Sequence, residues 1–472
     1  MNSKWPIVKI DDIKANTKNA ITIGPFGSRM KSECYVDSGI PVIRGTNIGP
    51  TPCFINEFVY ITEEKANELT SCNVYQGDLV FPHRGSIGEV GIIENEQRYV
   101  LSSSLMKLTC ASDKACPKFI YYFFKSQKGK HELLKNASQV GTPGIGQPLS
   151  SLKSIELPLP PLKTQEKIAR ILGDLDKQIQ LNQQINQTLE RIVQGLFKSW
   201  FVDFEPVKIK MAILSAGGGK EDATISAMTA ISGKQPDELA IFKSEHPESY
   251  AELKMIAELF PSSMQDNGSG KVPSGWTLSE IGNEVDVVGG STPSTKIPQF
   301  WDNGDINWTT PKDLSDLKDK ILIKTERKIT RDGLNKISSG LLPVNTVLMS
   351  SRAPVGYLAL AKIPVAINQG YIAMKCDYDL SPEFILQWCS ANMPEIISRA
   401  SGTTFAEISK KNFNQIPLIK PSMKLVEYYT KQAGNIYSLI EKNSIKNNKL
   451  TEIRDTLSPK FFSGEIPFDG DR

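Results

Sequence analysis

The sequence predicts an α+β protein in which two homologous mixed α/β domains are separated by two long antiparallel helices. The helices are expected to pair as a coiled coil, which makes the chain pseudo-two-fold symmetric. Two observations predict this fold. Short motifs recur in the same order in both halves of the chain, and each copy is followed by a long stretch with apolar residues at 3.5-residue intervals. The 472 residues leave room for about three domains.

The internal repeat is clearest around a strand-like run that leads into an arginine. Gly77–Gly88 is matched by Val344–Gly356, with Arg84 and Arg352 at the same place. The other matches are Trp5 with Trp276, Gly27-Ser28 with Gly290-Ser291, Pro117 with Pro382, Gly141-Thr142 with Gly402-Thr403, and Leu157-Pro158-Leu159 with Ile416-Pro417-Leu418. Because the spacing drifts by a few residues, the copies are two homologous domains with variable loops and not a short-period solenoid.

The two predicted long helices span residues 164–200 and 425–461, and each has an asparagine at its midpoint within the apolar stripe. At about 1.5 Å per residue, the first helix is about 55 Å long, so the helices are expected to act as spacers. Only an antiparallel pairing with aligned ends brings the two midpoints together. We therefore expect Asn182 to face Asn443 and to fix the register, because a buried asparagine loses its partner in a slipped register. In the alternative interpretation, both side chains point to water.

The chain is predicted to consist of five segments. They are a first domain (1–160), a first long helix (161–201), an acidic helical connector (202–270), a second domain (271–421), and a second long helix with the C-terminal tail (422–472). The connector has 6 Lys and Arg residues against 11 Asp and Glu residues. We therefore expect it to face a protein partner and not the phosphates of a nucleic acid.

The composition is that of an ordinary globular protein, with 40% hydrophobic and 23% charged residues and a formal net charge of +3. No apolar run is long enough to cross a bilayer, and the first ten residues lack the apolar stretch of a secretory signal. We therefore expect a cytoplasmic protein. The 7 cysteines are scattered without a Cys-x-x-Cys pair or a neighbouring histidine, so no metal site is predicted.

The segment between the two copies carries the most specific likeness to a known family. Gly195–Val207 closely resembles the central conserved segment of the specificity subunits of type I restriction-modification systems. The likeness covers essentially the whole chain, with two diverged domains that each open on a tryptophan and are each followed by a long helix. One departure is the glycine-rich loop, which is complete in the second domain (Gly289–Pro293) but reduced to Gly27–Arg29 in the first.

The resemblance implies a function, partners and cofactors. Each domain is implied to be a target-recognition domain that reads one half of a bipartite site in double-stranded DNA, with the helix pair setting the distance between the halves. The helices are implied to dock two methyltransferase (M) subunits, with restriction/translocase (R) subunits outside them. S-adenosylmethionine, ATP and magnesium are expected on those partner subunits, and no cofactor is expected on this chain.

Candidate DNA-contacting residues lie in four loops of each domain, where base-edge donors and acceptors accompany cations and small polar groups. In the first domain they are Ser28, Arg29, Lys31, Arg44, Thr46, Asn47, His83, Arg84, Ser86, Gln139 and Thr142. In the second domain they are Ser291, Thr292, Lys296, Trp308, Thr309, Lys312, Ser351, Arg352, Thr403 and Thr404, with Asn368 and Gln369 as further amide candidates suited to adenine.

Arg84 and Arg352 are the strongest candidates, because both lie between an apolar strand-like run and a glycine turn at equal positions in the repeat. The alternative for this pair is a solvated or ion-paired surface arginine. For Trp308 the alternative to base stacking is a place in the buried core. For His83 the alternative is a hydrogen bond to a backbone carbonyl.

The sequence contains no recognisable catalytic motif. It lacks the Asn-Pro-Pro-Tyr tetrapeptide of adenine methyltransferases and the Gly-x-Gly-x-x-Gly pattern of nucleotide cofactor sites. Gly217–Lys220 is followed by Glu221, where a phosphate-binding loop needs serine or threonine, and an ordinary turn explains Asp302 and Asp305. We therefore expect a non-catalytic subunit. Two alternatives stay open: a coiled-coil scaffold that spaces two protein-binding domains without DNA contact, favoured by the near-neutral charge, and a stand-alone nuclease.

Overall fold

The computed structural model describes most of the chain, without the side chain of Ser28. The described residues are 4–138, 143–268, 270–352, 354–402 and 406–468. The chain divides into two compact units, which are unit 1 (Met1–Gln180 with Asn448–Arg472) and unit 2 (Leu181–Asn447). Each long helix thus contributes residues to both units. The predicted boundaries of the five segments stay predictions.

Unit 1 is a mixed α/β structure. Its strands are β1 (Ile7–Lys9), β2 (Ile21–Ile23), β3 (Ile40–Ile43), β4 (Val59–Ile61), β5 (Asn73–Val74), β6 (Leu79–Pro82), β7 (Gly91–Ile92), β8 (Tyr99–Leu101), β9 (Leu105–Leu108), β10 (Ala137–Ser138), β11 (Gly144–Ile145) and β12 (Glu156–Pro158). Its helices are α1 (Ile10–Ile13), α2 (Glu63–Glu68), α3 (Pro117–Lys125), α4 (Gln127–Leu134), α5 (Pro148–Ser154) and the first part of α6 (Leu162–Phe197).

Two four-stranded sheets form the body of unit 1. Their strand orders are β4-β3-β8-β5 and β2-β9-β6-β7, and β1 pairs with β12. Strands β6 and β9 are buried along their whole length, because apart from Lys107 they are runs of apolar residues and proline. The Lys107 ammonium lies 3.3 Å from the Asp78 carboxylate, which compensates its burial. Helix α3 starts at Pro117, a residue suited to the first turn, and buries five phenylalanine and tyrosine rings.

Unit 2 continues from α6 and ends within α17. Its strands are β13 (Met264–Asp266), β14 (Lys271–Pro273), β15 (Thr277–Glu280), β16 (Asp286–Val288), β17 (Ile306–Thr309), β18 (Ile321–Leu322), β19 (Arg327–Ile329), β20 (Val347–Ser350), β21 (Leu358–Ala361), β22 (Ala366–Ile367), β23 (Tyr371–Lys375) and β24 (Pro417–Lys420). Its helices are α7 (Glu205–Ser215), α8 (Lys220–Ser232), α9 (Pro236–Glu245), α10 (Pro247–Leu259), α11 (Ile281–Glu284), α12 (Pro311–Ser315), α13 (Arg331–Leu334), α14 (Pro382–Ala391), α15 (Met393–Ser398), α16 (Lys410–Asn414) and most of α17 (Met423–Ser463).

The sheets of unit 2 repeat the connectivity of unit 1, except that β5 extends the first sheet of unit 1 and β18 extends the second sheet of unit 2. Their strand orders are β19-β17-β22 and β16-β23-β20-β21-β18, and β15 pairs with β24. In both units the first sheet contains a parallel pair, β3 with β8 in unit 1 and β17 with β22 in unit 2. The predicted α+β class with two homologous domains is confirmed.

One of the sequence matches is shifted by two residues. Ile10 N donates to Ile155 O in the first copy, and Ile281 N donates to Ile416 O in the second. Ile155, and not Leu157, is therefore the counterpart of Ile416. The sequence could not show this, because apolar residues occupy every second position of this strand, and a shift of two positions keeps the same pattern.

The long helices run antiparallel in unit 2, but the predicted contact between Asn182 and Asn443 is wrong. Asn182 donates to Asn447 Oδ1 at 2.8 Å, and Asn443 donates to Asn186 Oδ1 at 2.9 Å. Each asparagine is thus bonded one helical turn away from its predicted partner. Residue numbers that rise along α6 pair with residue numbers that fall along α17, so the predicted antiparallel direction is correct.

The register error comes from the assumption of aligned ends. Asn443, at the middle of α17, is bonded to Asn186, which lies beyond the middle of α6, so the midpoints of the two helices are not opposite each other. Residues four apart lie on the same face of a helix, and therefore an apolar stripe alone does not distinguish registers that differ by one turn. In unit 1, Arg454 on α17 bonds Asp176 on α6 at 2.9 Å.

The asparagine pairs of unit 2 belong to a buried polar layer that includes Asp319, in the loop before β18. Asn186 donates to Asp319 Oδ2 at 2.9 Å and to Ser444 Oγ at 3.1 Å, and Ser444 Oγ donates to Asp319 Oδ2 at 2.5 Å. Burial raises the pKa of Asp319, and the donors from Ser444 and Asn186 oppose this shift. The layer therefore joins both long helices to the sheet domain of the same unit.

The acidic connector forms the four helices α7–α10. Helices α8–α10 share a small core made of Ala227, Met228, Leu239, Leu253 and Ala257. Lys210 on α7 is buried, and its ammonium donates to Ala257 O at 2.9 Å and to Phe260 O at 2.6 Å. These carbonyls belong to the C-terminal end of α10, where helix carbonyls lack partners and a cation is favourable. Burial lowers the pKa of Lys210.

We expect Asn186→Ala to lower the free energy of unfolding by about 1–3 kcal/mol, because it removes the donor to Asp319 and leaves Asn443 without its acceptor. The measurement is urea unfolding of the full chain followed by circular dichroism. Gln184→Ala on the exposed face of the same helix is the matched control and should stay within about 0.5 kcal/mol of the native chain. Equal losses in the two variants would contradict the role given to the polar layer.

Candidate nucleic-acid interface

In unit 2 the chain passes from one sheet to the other through the turn Asn368-Gln369-Gly370, between β22 and β23. Asn368 N donates to Thr309 O at 3.2 Å, and Ser351 N donates to Gly370 O at 2.8 Å. The Asn368 side chain also accepts a hydrogen bond from Gly370 N at 2.9 Å. The turn is therefore held by hydrogen bonds on both sides, and the exposed Gln369 is its tip residue.

The glycine-rich loop after β16 packs directly on this turn. A Cβ atom added to Gly290 would lie 2.0 Å from Ile367 O, so only glycine fits there. Ser291 N donates to Ile367 O at 3.1 Å, and Thr292 Oγ1 donates to Gln369 Oε1 at 2.6 Å. The structure thus brings the predicted loop and the predicted amide residues to one surface.

Arg352 follows β20 beside the same turn. Its guanidinium lies 3.7 Å from the Glu407 carboxylate, and its side chain is 38% exposed. An exposed pair at this distance contributes about 0–1 kcal/mol, so the ion pair restrains Arg352 only weakly. The backbone of Arg352 also forms a bridge to Glu407.

Unit 1 has the same arrangement around the turn Ser102-Ser103-Ser104, between β8 and β9. Ser102 N donates to Ile43 O at 2.9 Å, at the end of β3, and His83 N donates to Ser104 O at 2.9 Å. These bonds repeat those of the unit 2 turn. Ser103 is exposed and occupies the tip position that Gln369 occupies in unit 2.

The loop after β2 contains the counterpart of Gly290, and that residue is Gly24. A Cβ atom added to Gly24 would lie 1.9 Å from Ser102 O. The match of Gly27 with Gly290 is therefore wrong by three residues. Sequence comparison favoured Gly27 because a serine follows both glycines, whereas the fold requires the glycine that touches the turn.

Arg84 lies on the surface beside this turn, and its backbone forms a bridge to Gly144. Within the described residues, its guanidinium has no hydrogen bond and no ion pair. A Cβ atom added to Gly45 would lie 3.8 Å from Ser86 Oγ, which places the loop of the exposed Thr46 next to Ser86. Three of the predicted loops of the first domain therefore adjoin one another.

Five candidates have side chains that the fold buries, and they are Asn47, His83, Trp308, Thr309 and Ser351. Asn47 donates to the carbonyl oxygens of Ile55 and Glu57, Thr309 Oγ1 lies 3.0 Å from Tyr371 Oη, and Trp308 packs edge-on against Trp301. Buried side chains do not reach a nucleic acid. The prediction of direct contact is corrected for these residues, which support the loops instead.

His83 is the clearest supporting residue. Its Nε2 atom lies 3.1 Å from Ser103 O, so the ring holds the backbone of the tip residue. Burial lowers the pKa of His83, and the positive charge of Arg84 acts in the same direction, while the bond to Ser103 O opposes the shift. A neutral ring whose nitrogen is bonded to a carbonyl oxygen does not bind phosphate.

The remaining described candidates differ in whether hydrogen bonds or ion pairs hold their side chains in place. Arg44 is half-buried and donates to Glu57 O at 3.1 Å, Ser291 Oγ donates to Lys336 O at 3.1 Å, and Lys312 bonds Glu326 at 2.9 Å. Among the described residues, six exposed candidates have side chains without a hydrogen bond or ion pair, and they are Arg29, Lys31, Thr46, Arg84, Ser86 and Lys296. Gln139, Thr142, Thr403 and Thr404 lie outside the described residues, as does the side chain of Ser28.

Sequence reasoning missed the serine turn and Lys410, whose side chain passes 3.8 Å from the position of a Cβ atom on Gly289. The signal for the turn was present. Val100-Leu101 and Ala366-Ile367 are each followed by three small or polar residues and then by an apolar strand. Lys410 had no such signal, because it follows a loop of variable length.

The described part of the chain shows neither a metal-ligand cluster nor a membrane-spanning helix. It contains no group of three His, Cys, Asp or Glu side chains that could hold a metal ion. None of its helices combines the length and the apolar character needed to cross a membrane.

Comparisons with known proteins agree on one family. The model of the type I restriction modification DNA specificity domain matches residues 2–191 and 273–454. The type I restriction enzyme HindI specificity subunit of Haemophilus influenzae is 32% identical over 408 residues, which cover 83% of this chain and 87% of that protein. The MjaIX specificity subunit of Methanocaldococcus jannaschii is 31% identical over 218 residues, 46% of this chain and 50% of that protein. A crystal structure of a type I restriction-modification S subunit from M. genitalium has the same fold, with a TM-score of 0.53 at 15% identity over 98% of this chain and 96% of that one.

We expect acid to destabilise the native chain through His83. A histidine with a lowered pKa in the folded chain binds its proton more readily when unfolded, so its contribution is complete above the unfolded value of about 6.5 and is lost as the pH falls through the folded value. The melting temperature should therefore fall less between about pH 7.5 and about pH 5.5 in His83→Gln than in the native chain. His131→Gln, at an exposed position, should follow the native chain; three parallel curves would exclude this role of His83.

Proposed function

The chain belongs to the family of type I restriction-modification specificity subunits, and we propose that it reads a bipartite target in double-stranded DNA with one target-recognition domain for each half-site. The proposal rests on the equivalence of the two domains. Each presents an arginine, a clamped glycine loop and a polar turn at the same strand ends. Two equal reading surfaces on one chain suit a target with two parts.

The side chains on these surfaces suit base reading more than bulk phosphate binding. Arg84 has an unpaired guanidinium among the described residues, and Gln369 has an exposed amide. Arginine recognises the O6 and N7 atoms of guanine, and amides recognise adenine in the major groove. A net charge of +3 is small for a protein that supplies its own phosphate contacts. We infer that partner subunits provide most of those contacts.

The long helices are proposed to set the distance between the half-sites. Helix α6 has 36 residues, which corresponds to about 54 Å at about 1.5 Å per residue. The asparagine pairs fix the register of α6 and α17 in unit 2, so that the helices do not slide past each other.

We propose a non-catalytic role within a larger assembly. Two M subunits would dock on the helices, R subunits would bind outside them, and S-adenosylmethionine, ATP and magnesium would be bound by these partners. The acidic connector, residues 202–270, suits a protein partner, because negative charge is unfavourable next to phosphates. A scaffold that spaces two protein-binding domains without DNA contact is the second candidate, and the near-neutral net charge favours it.

We expect the chain, assembled with its M subunits, to bind a specific duplex with an affinity that falls steeply as salt rises. Arg84→Ala should weaken binding by about 1–3 kcal/mol and relax discrimination in one half-site, and Arg352→Ala should do the same in the other, because each guanidinium is expected to read a base. The measurement is fluorescence anisotropy with duplexes that carry single base-pair changes.

Lys18→Ala and Lys271→Ala, at exposed positions of the two units, are the controls, and they should leave discrimination unchanged. A duplex affinity that is absent or independent of salt would favour the scaffold. An effect of Arg84→Ala on both half-sites would contradict the assignment of one domain to each half-site.

We expect a matched deletion of residues 178–184 and 445–451 to shorten the preferred spacer between the half-sites. These segments face each other in the register of Asn182 with Asn447. One heptad corresponds to about 10 Å of helix, which is about three base pairs of duplex. Sequencing of methylated sites in a host that carries the variant and its M subunits measures both the spacer and the half-sites.

The matched duplication of the same two segments is the control, and it should lengthen the spacer while both half-sites stay the same. Deletion of residues 178–184 alone should abolish methylation, because it breaks the asparagine register. An unchanged spacer in both matched variants would exclude the helices as the element that sets the distance.

A further inference from the structure

The turns that connect the two sheets of each domain have the same backbone hydrogen bonds but carry different side chains. The tip residue is Ser103 in the first domain and Gln369 in the second, and both side chains are exposed. Among the described residues, the Ser103 hydroxyl has no hydrogen-bond partner. The Gln369 amide accepts from Thr292 Oγ1 at 2.6 Å, and its Nε2 donor has no partner in the same set of residues. Both tips therefore hold unused hydrogen-bonding groups at the surface.

The frame below each tip is rigid. On one side the turn is bonded to the end of a parallel strand, through Ser102 N to Ile43 O in the first domain. On the other side it is bonded to the residue before the arginine, through His83 N to Ser104 O. Gly24 packs directly against the backbone of the turn. Little conformational entropy is lost when such a tip binds a partner.

Each tip also lies next to the strongest DNA candidate of its domain. The residue that bonds the turn is followed directly by Arg84 in the first domain and by Arg352 in the second. Arginine and the tip side chain are thus presented by adjacent pieces of backbone. A cation and a neutral hydrogen-bonding group side by side suit two neighbouring base pairs in one groove.

We propose that the tip of the sheet-crossing turn is a specificity-determining position, one in each domain, and that Gln369 reads an adenine in the half-site of the second domain. This inference rests on the proposed function. A glutamine amide binds adenine through two hydrogen bonds, because Nε2 donates to N7 and Oε1 accepts from the exocyclic amino group. Thr292 donates to the same Oε1, which has two lone pairs, and so holds the amide in one orientation.

Ser103 is expected to be less selective. A serine hydroxyl both donates and accepts, and it is short, so it bonds to more than one base edge. The two domains then differ in how strictly they select a base at equivalent positions. The cause is one side chain, while the backbone that carries it is the same.

The test exchanges the tip chemistry and leaves the frame unchanged. Gln369→Glu keeps the size of the side chain and the acceptor for Thr292, but it removes the donor to adenine N7, and a carboxylate accepts from cytosine. We expect the preference for adenine at one base pair to fall about ten- to hundredfold and to shift towards cytosine. Ser103→Gln should create a preference for adenine at one position of the other half-site.

The measurement uses each variant assembled with its M subunits and duplexes with every single base-pair change, after the native target has been read from methylated host DNA. Gln415→Glu and Ser112→Gln make the same substitutions at exposed positions of the same domains and should leave all preferences unchanged. In each variant, the unaltered half-site reports that the protein is folded and assembled.

Native preferences at every position in both tip variants would overturn the proposal, as would a second-domain half-site without adenine. Either result leaves the proposed function intact if the native target is bipartite. A native complex without a bipartite target would instead refute the proposed function, so the two failures are distinguishable.

Discussion

The candidate DNA-reading surface of each domain depends on a backbone contact that leaves no space for a side chain. Gly24 lies against Ser102 O in the first domain, and Gly290 lies against Ile367 O in the second. A Cβ atom would meet these oxygens at about half a normal contact distance, so any other residue would push the loop away from the turn. Because the contact is made by main-chain atoms, it fixes the loops whatever side chains they carry. The domains can therefore keep one frame and differ in the residues on it.

Buried polar groups give the long helices of unit 2 a single register. Apolar packing alone tolerates a slip of one turn, as the apolar stripe of α6 illustrates. The hydrogen bonds among Asn186, Asn443 and Asp319 do not survive such a slip, because each partner would move by about 5.4 Å. Burial raises the pKa of Asp319, and the hydrogen bonds from Ser444 and Asn186 oppose this shift. The layer therefore restricts the two helices to one pairing.

The sequence predicted what depends on periodicity and order. The repeat, the fold class and the antiparallel direction of the helices follow from patterns that extend over many residues. The register did not follow, because a heptad stripe repeats itself and Asp319, whose hydrogen bonds help to select one register, is distant in the sequence from both helices. The alignment of Leu157 failed for the same reason, since a strand repeats every two residues.

The candidate site was predicted less completely, because burial is a tertiary property. Asn47 and Ser351 are polar residues in loops, and nothing local shows that the neighbouring chain covers them. For His83 the structure shows the alternative interpretation, a hydrogen bond to a backbone carbonyl, because its ring is turned inwards onto Ser103 O. The turn of Ser102 was missed because small polar residues between two strands are typical of any tight connection. Its importance comes from the two sheets that it joins.

The small net charge has a physical consequence for discrimination. Phosphate contacts bind every sequence alike, so a protein rich in them gains affinity without selectivity. This chain instead places a few exposed hydrogen-bonding groups, such as Gln369, on frames that are already rigid. A wrong base then leaves a donor or an acceptor unpaired, and the cost is not offset by movement of the loop. In the proposed assembly, partner subunits would supply most phosphate contacts and this chain the base contacts, so that affinity would be adjusted in the partners and selectivity at single positions of this chain.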